Sequence, residues 1–189
     1  LHHIQNIPDI DDDMVRVSKE VRLSIDELTE KNHQVFLEEM DSLHVLRPHA
    51  YPRVSRNMHQ IIELIELLLA GGHAYAIDGH VFFDTTTSPE FGALSGQSVE
   101  QLRNAPRTDT MPEEPEELKQ DPLDFLLWKP SDYPGAAFDS PWGLGRPGWH
   151  VECSAMARTT LGDTLDIHGG GQDLIYPHHE SEIVQSQYA

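Results

Sequence analysis

The sequence predicts an α/β fold, an open parallel sheet interrupted by an inserted helix and hairpin, on three observations. The final third runs strand (residues 123–128), helix (150–161), strand (164–167), glycine loop (168–171), then a helix opened by Pro177. That alternation is the grammar of a parallel sheet with ligands at its strand ends. Long helical periods precede it, and Asp78-Gly79 between two short apolar runs is the strongest short hairpin signal.

Taken in order, residues 1–7 lean apolar and read as the end of a strand, closing on Asn6-Ile7-Pro8-Asp9. Asp9, Asp11, Asp12 and Asp13 follow where a helix should begin, and acids there complement the helix dipole. A calcium loop fits less well, because the glycine turn and closing glutamate are missing. Ser24-Ile25-Asp26-Glu27 has the form of a capping box, after which Leu28, Val35, Phe36, Met40 and Leu43 keep a helical period to about residue 45. Pro48 and Pro52 break the pattern. A third helix is expected over 55–70, stopped by Gly71-Gly72. Strands over 73–77 and 80–84 flank the hairpin turn, and a short helical stretch follows at 98–104. The Pro- and Glu-rich stretch 105–120 reads as an exposed loop, and the Gly/Pro-rich stretch 131–148 as irregular.

Composition narrows the function. A chain of 189 residues with 38% hydrophobic content suits one globular domain, or one domain with an insert. No apolar run approaches the ~20 residues of a membrane span, and the Leu1-His2-His3-Ile4 start does not read as a secretory signal. The single cysteine, Cys153, rules out an intrachain disulfide and fits a reducing compartment, so a cytoplasmic protein is expected. Four lysines stand in a chain with 32 acids and a formal charge of −19, a field that repels phosphate backbones. By itself this stretch should not be a general nucleic-acid binder, and the charge reads as a solvated acidic surface.

Three zinc-competent side chains sit in the final third: Cys153, His178 and Glu182. His178 and Glu182 are spaced i, i+4, so on a helix they share a face. Cys153 lies near the start of the preceding helix, and in a parallel layout successive helix starts fall along one sheet edge. Thiolate, imidazole and carboxylate are all zinc donors. The same spacing also describes an ordinary surface pair and a packed cysteine, so spacing alone leaves both readings open.

The surrounding residues add a resemblance. The segment Gly145-Arg146-Pro147-Gly148-Trp149-His150-Val151-Glu152-Cys153-Ser154-Ala155-Met156 closely resembles a signature of cysteinyl-tRNA synthetases. The run from Leu165 to Ile183, with Ile167-His168-Gly169-Gly170-Gly171-Gln172-Asp173 and Pro177-His178-His179-Glu180-Ser181-Glu182, is similar to the family's FDIHGGGxDLxFPHHENE. Asn6-Ile7-Pro8-Asp9-Ile10-Asp11-Asp12 resembles its NITDIDD segment, and residues 121–129 its DPxDFxLWK strand.

The resemblance implies a Rossmann-like parallel sheet in a class I synthetase catalytic domain. Residues 1–46 and 121–189 would form its two parts, and 47–120 a connective insert. It implies zinc on Cys153, His178 and Glu182, with the family's fourth ligand, a cysteine, ahead of residue 1. Trp149 would close over the substrate cysteine. Gly171, Gln172 and Asp173 would hold the aminoacyl-adenylate, and Asn6 and Ile7 would end a strand beside the cysteine pocket. A purely structural reading of His168 is that it only holds the glycine loop in shape, and His179 would face elsewhere on a helix. No residue matches a protein nucleophile. The implied substrates are L-cysteine, ATP with Mg2+, and tRNA(Cys), handled by a monomer.

The physics suits that task. Serine nearly matches cysteine in shape, and a borderline-soft metal prefers a thiolate to a neutral hydroxyl. A partner only the right substrate can satisfy gives ~10⁴–10⁵ discrimination without editing.

The sequence departs from the pattern in three ways. The HIGH and KMSKS segments and the basic anticodon-binding region lie outside these residues, so the stretch reads as a fragment, expected to be inactive alone. Pro8 stands where the family has threonine, losing a hydroxyl and an N–H, and Ser181 replaces the asparagine of HHENE. Two other readings compete: a mycothiol-type ligase joining cysteine to an aminosugar, and a non-catalytic synthetase-like paralogue. The full His-His-Glu-Ser-Glu run favours the synthetase over the ligase.

Overall fold

The structure is a computed structural model, and it describes residues 1–104 and 114–189. Two helices open the chain. In α1 (Asp12–Val21) the Asp11 carboxylate caps the first turn, accepting from the Met14 amide at 2.6 Å. In α2 (Ile25–Ser42) Ser24 and Glu27 form the expected reciprocal capping box.

The segment before α1 runs parallel to residues 49–54, with bridges at Ile4–Ala50 and Ile7–Arg53. Asp9 is buried, and its carboxylate accepts from the Ser55 amide at 2.9 Å and the Ser55 hydroxyl at 2.6 Å. That pairing anchors a tight turn at Val54–Arg56 and leads into α3 (Met58–Ala70). Ile61, Leu64, Ile65 and Leu68 bury one face of α3, the i, i+3, i+4, i+7 spacing of an amphipathic helix.

Among the described residues four strands form one sheet in the order β1 (Ala74–Ile77), β2 (His80–Phe83), β3 (Phe125–Pro130) and β4 (Gly145–Pro147). The β1–β2 hairpin turns on Asp78 and Gly79, both at positive φ, as its right-handed twist favours. A short helix, α4 (Val99–Asn104), lies between β2 and β3.

The α/β class stands, and the sense of the sheet differs from expectation. All three pairings are antiparallel, and parallel pairing among the described residues is confined to the two bridges. The physical reason is that β3 takes its partners from the hairpin and from β4, so its two-sided burial is satisfied by antiparallel neighbours. Residues 164–167, expected as a buried strand, belong to no strand and bend at Asp166, with Ile167 75% exposed. A run of apolar residues specifies a strand only if another strand lies alongside to take its amides and carbonyls.

The expected loop over 105–120 lies partly outside the described residues. Its described end is not simply exposed: the Lys119 side chain is 5% accessible, held by Glu114 at 2.6 Å and Glu116 at 2.9 Å.

Two last helices complete the fold: α5 (Trp149–Leu161) and α6 (Glu180–Tyr188), which pack on each other and on α3. One apolar cluster runs from Ile10 and Ile25 through α3 and the sheet to Met156 and Val184. Its aromatic centre is Phe83 stacked on Phe125, ring centroids 5.0 Å apart. Gly148 sets how closely α5 meets the sheet. Its amide donates to the Leu127 carbonyl at 2.9 Å, and a Cβ there would collide with the Leu126 carbonyl. Among the described residues no helix is long and apolar enough to cross a membrane.

Candidate metal and substrate site

The site forms where α5 begins and α6 begins. Cys153 stands in the second turn of α5, and Glu182 in the first turn of α6. His178 precedes α6 in a wide π-type turn, Ile175–His179, where Tyr176 is non-helical. A thiol, a ring nitrogen and a carboxylate oxygen from these three residues lie within 4.8 Å of one another. His178 Nε2 is 3.6 Å from Glu182 Oε2, so the i, i+4 spacing works although the turn is not α-helical.

Each donor is oriented by a neighbour. The Asn6 side-chain amide donates to Cys153 Sγ at 3.1 Å, tying the N-terminal segment to the site. His178 is stacked on Trp149 at 4.3 Å between centroids and 27° between planes. Its Nδ1 lies 2.9 Å from Nδ1 of the buried His150. Two imidazoles can share that contact only if one carries the proton and the other the lone pair. With His178 as donor, its Nε2 lone pair faces Glu182, the tautomer a metal ligand needs.

Electrostatics point the same way. Burial holds both His150 and His178 below the ordinary histidine range, so both are neutral near pH 7. Burial, with the Glu182 and Glu152 carboxylates adding to it, pushes the Cys153 thiol well up. The Glu182 carboxylate raises His168, which stands 3.1 Å away. Glu182 Oε2 is nonetheless buried with no donor aligned on it for a hydrogen bond. A buried carboxylate oxygen, a neutral imidazole and a thiol make a donor set that suits a zinc ion, and a bound cation would reverse the pressure on the thiol. The residues fit the metal.

A cavity of about 820 Å³ opens beside Glu182, lined also by Leu94, His168, Gly171, Gln172 and His179. Gly171 and Gln172 therefore face the same space as Glu182, while Cys153 and His178 lie outside the cavity lining. Asp173 sits in the turn Gln172–Leu174, its carboxylate folded back over Gly171. Asn6 and Ile7 border a second, smaller cavity of about 230 Å³ toward α2, with Asn6 also reaching Cys153.

His179 corrects the helical-wheel expectation. Its ring forms a second cluster with His168 and Glu182, donor atoms within 4.8 Å. The wide turn rotates it toward the site, where an uninterrupted α-helix would have turned it away. His150 was not singled out as a site residue. Its signal lay in its place one residue after Trp149, but which ring it meets depends on how α5 and the turn before α6 come together.

Convergent donors beside a roomy cavity mark a candidate metal and ligand site in an α/β domain. Comparison with known proteins specifies it further. The family model for the class I (C) tRNA synthetase catalytic domain matches residues 1–189. The cysteine--tRNA ligase of Acidiphilium cryptum is 50% identical over 186 residues, covering 97% of this chain and 40% of that protein. Those of Desulforamulus reducens and Pseudoalteromonas translucida are each 46% identical over 187 residues. They cover 99% and 98% of this chain and 37% and 40% of the relatives. The chain belongs to the class I tRNA synthetase catalytic-domain family, and it spans about two fifths of the length of these curated relatives.

Proposed function

We propose that this chain is the cysteine-recognising part of a cysteine--tRNA ligase, which activates L-cysteine with ATP and transfers it to tRNA(Cys). The observation that carries the reading is the convergence of Cys153, His178 and Glu182 within 4.8 Å beside the large cavity. These three residues would hold zinc, which when bound supplies a thiolate-selective contact for the substrate sulfur.

The chain's own residues perform the rest of the binding. Asn6 orients the Cys153 sulfur. Trp149 presses on the His178 ring and keeps it in place, and it borders the substrate side chain. Gly171 and Gln172 bring backbone close to the adenylate, and Asp173 offers a carboxylate to its ribose hydroxyls or to the substrate ammonium. Activation is attack of the cysteine carboxylate on the ATP α-phosphorus with departure of pyrophosphate. Transfer then moves the cysteinyl group to the tRNA's terminal ribose, with release of AMP. Both steps draw on positioning and charge stabilisation rather than a protein nucleophile. Mg2+ accompanies ATP.

On this reading residues 1–46 and 121–189 belong to the catalytic domain and 47–120 to its connective insert. The protein works in the cytoplasm as a monomer.

The test is metal content together with cysteine-dependent pyrophosphate exchange in the whole protein. The parent is expected to carry one zinc per chain and to exchange with cysteine but not serine. Cys153→Ala should lose most of the zinc and at least ~10²-fold of the cysteine preference. Equal zinc in parent and variant would remove Cys153 from the site.

A further inference from the structure

The His-His-Glu-Ser-Glu run contains two glutamates, and the site uses only one. Glu180 lies two positions before Glu182, so on a helix it points to the opposite side. It is 1% exposed, and its two oxygens accept from two backbone amides far away in the chain. One is Gly92 N at 3.1 Å, the other Ser95 N at 2.6 Å. Charge-assisted bonds of this kind are among the stronger ones a buried group makes.

The loop they hold is shaped to receive them. Gly92 takes φ +99°, which side-chain-bearing residues rarely adopt, and a Cβ there would meet the Gln97 carbonyl at 2.7 Å. The Ser95 hydroxyl donates to the Gly92 carbonyl at 3.1 Å, and Phe91 anchors the loop in the core. Between the two clamped amides stands Leu94, half exposed, lining the 820 Å³ cavity with Gly171, His179 and Glu182.

We propose that Glu180 is a positioning residue. Its carboxylate locks the 91–97 loop to the helix bearing Glu182, so that Leu94 forms an apolar wall for the adenylate in the cavity. The proposal rests on the reading of that cavity given above. It joins one stretch of the insert to the metal-bearing helix through two hydrogen bonds, and it gives the motif's first glutamate a task separate from metal binding.

The test uses the whole protein and a non-hydrolysable sulfamoyl analogue of cysteinyl-adenylate, with Glu180→Ala, Glu180→Gln, Leu94→Ala and the Glu180→Ala/Leu94→Ala double variant. Amide exchange at Gly92 and Ser95 should accelerate in Glu180→Ala. Glu180→Gln, which keeps the volume and an acceptor oxygen, should recover part of the protection. Leu94→Ala and Glu180→Ala should each weaken analogue binding roughly tenfold, the effect of losing a few buried apolar carbons. The double variant should fall within about twofold of either single one, since both act on the same wall. Unchanged analogue affinity in the Glu180 variants, or losses that simply multiply in the double variant, would overturn the positioning role. A parent that itself fails to bind the analogue would overturn the reading of the cavity, and the positioning role with it.

Discussion

At the scale of single residues, the site depends on side chains that bond to the donors as much as on the donors themselves. His150 is buried, and its Nδ1 meets Nδ1 of His178 at 2.9 Å. Replacing it by leucine keeps the volume and removes the proton partner that selects the His178 tautomer. His150→Leu is expected to weaken zinc affinity by about 10–100-fold, the usual effect of losing such a partner. Chelator competition measures this, and an unchanged affinity would exclude the Nδ1 pairing. While spacing alone left an ordinary surface pair and a packed cysteine open, the three candidate donors were legible through residue type and the resemblance of the motifs around them. His150 and His179 were not, because their roles depend on a turn whose shape no helical wheel contains.

At the scale of elements, two junctions place the site. The first is the start of α1, where Asp12 pairs with Lys129 at 2.6 Å and with Arg146. Burial alone would raise the Asp12 pKa, but the Lys129 hydrogen bond and charge, helped by Arg146, hold it below the usual carboxylate value. A depressed folded-state pKa contributes stability above the unfolded value of ~3.9, and that contribution is lost as pH falls through the folded value. Asp12→Asn should therefore be less stable than the parent near neutral pH, and the gap should close on acidification below about pH 4. Urea titrations at a series of pH values would show this, and a gap that widens in acid would contradict it.

The second junction is Gly148, where α5 leaves β4 against the Leu126 carbonyl. A methyl group has no room there, so Gly148→Ala is expected to cost about 3 kcal/mol, the upper end for overpacking. Denaturant midpoints would register this, and a change of under about 0.5 kcal/mol, typical of an unconstrained surface position, would mean the backbone can yield. Helices, caps and the Asp78-Gly79 turn were readable because they depend on neighbours within about four residues. The sheet's sense was not, because it depends on which strand lies beside β3.

At the scale of the whole molecule, charge dominates. With 32 acids against 13 lysines and arginines, the folded chain concentrates like charge and repels itself. Salt screens exposed charges over about 10 Å at 0.1 M and 3 Å at 1 M. Raising monovalent salt from about 0.01 to 0.5 M should therefore raise the thermal midpoint of this chain. Calorimetry at a few salt concentrations tests it, and a falling midpoint would show that specific ion pairs outweigh the general repulsion.

The sequence by itself determined the helices apart from the start of the last, the hairpin, the class of fold and the residue types able to hold a metal, since each follows from local pattern or side-chain chemistry. Only the tertiary structure decided that β3 is flanked by antiparallel partners, that residues 164–167 stay coil, and that His150, His179 and Glu180 turn where they do. Those outcomes rest on contacts between residues far apart in the chain. A side chain's neighbours across such distances are set by packing, and packing has no signature in any short stretch of sequence.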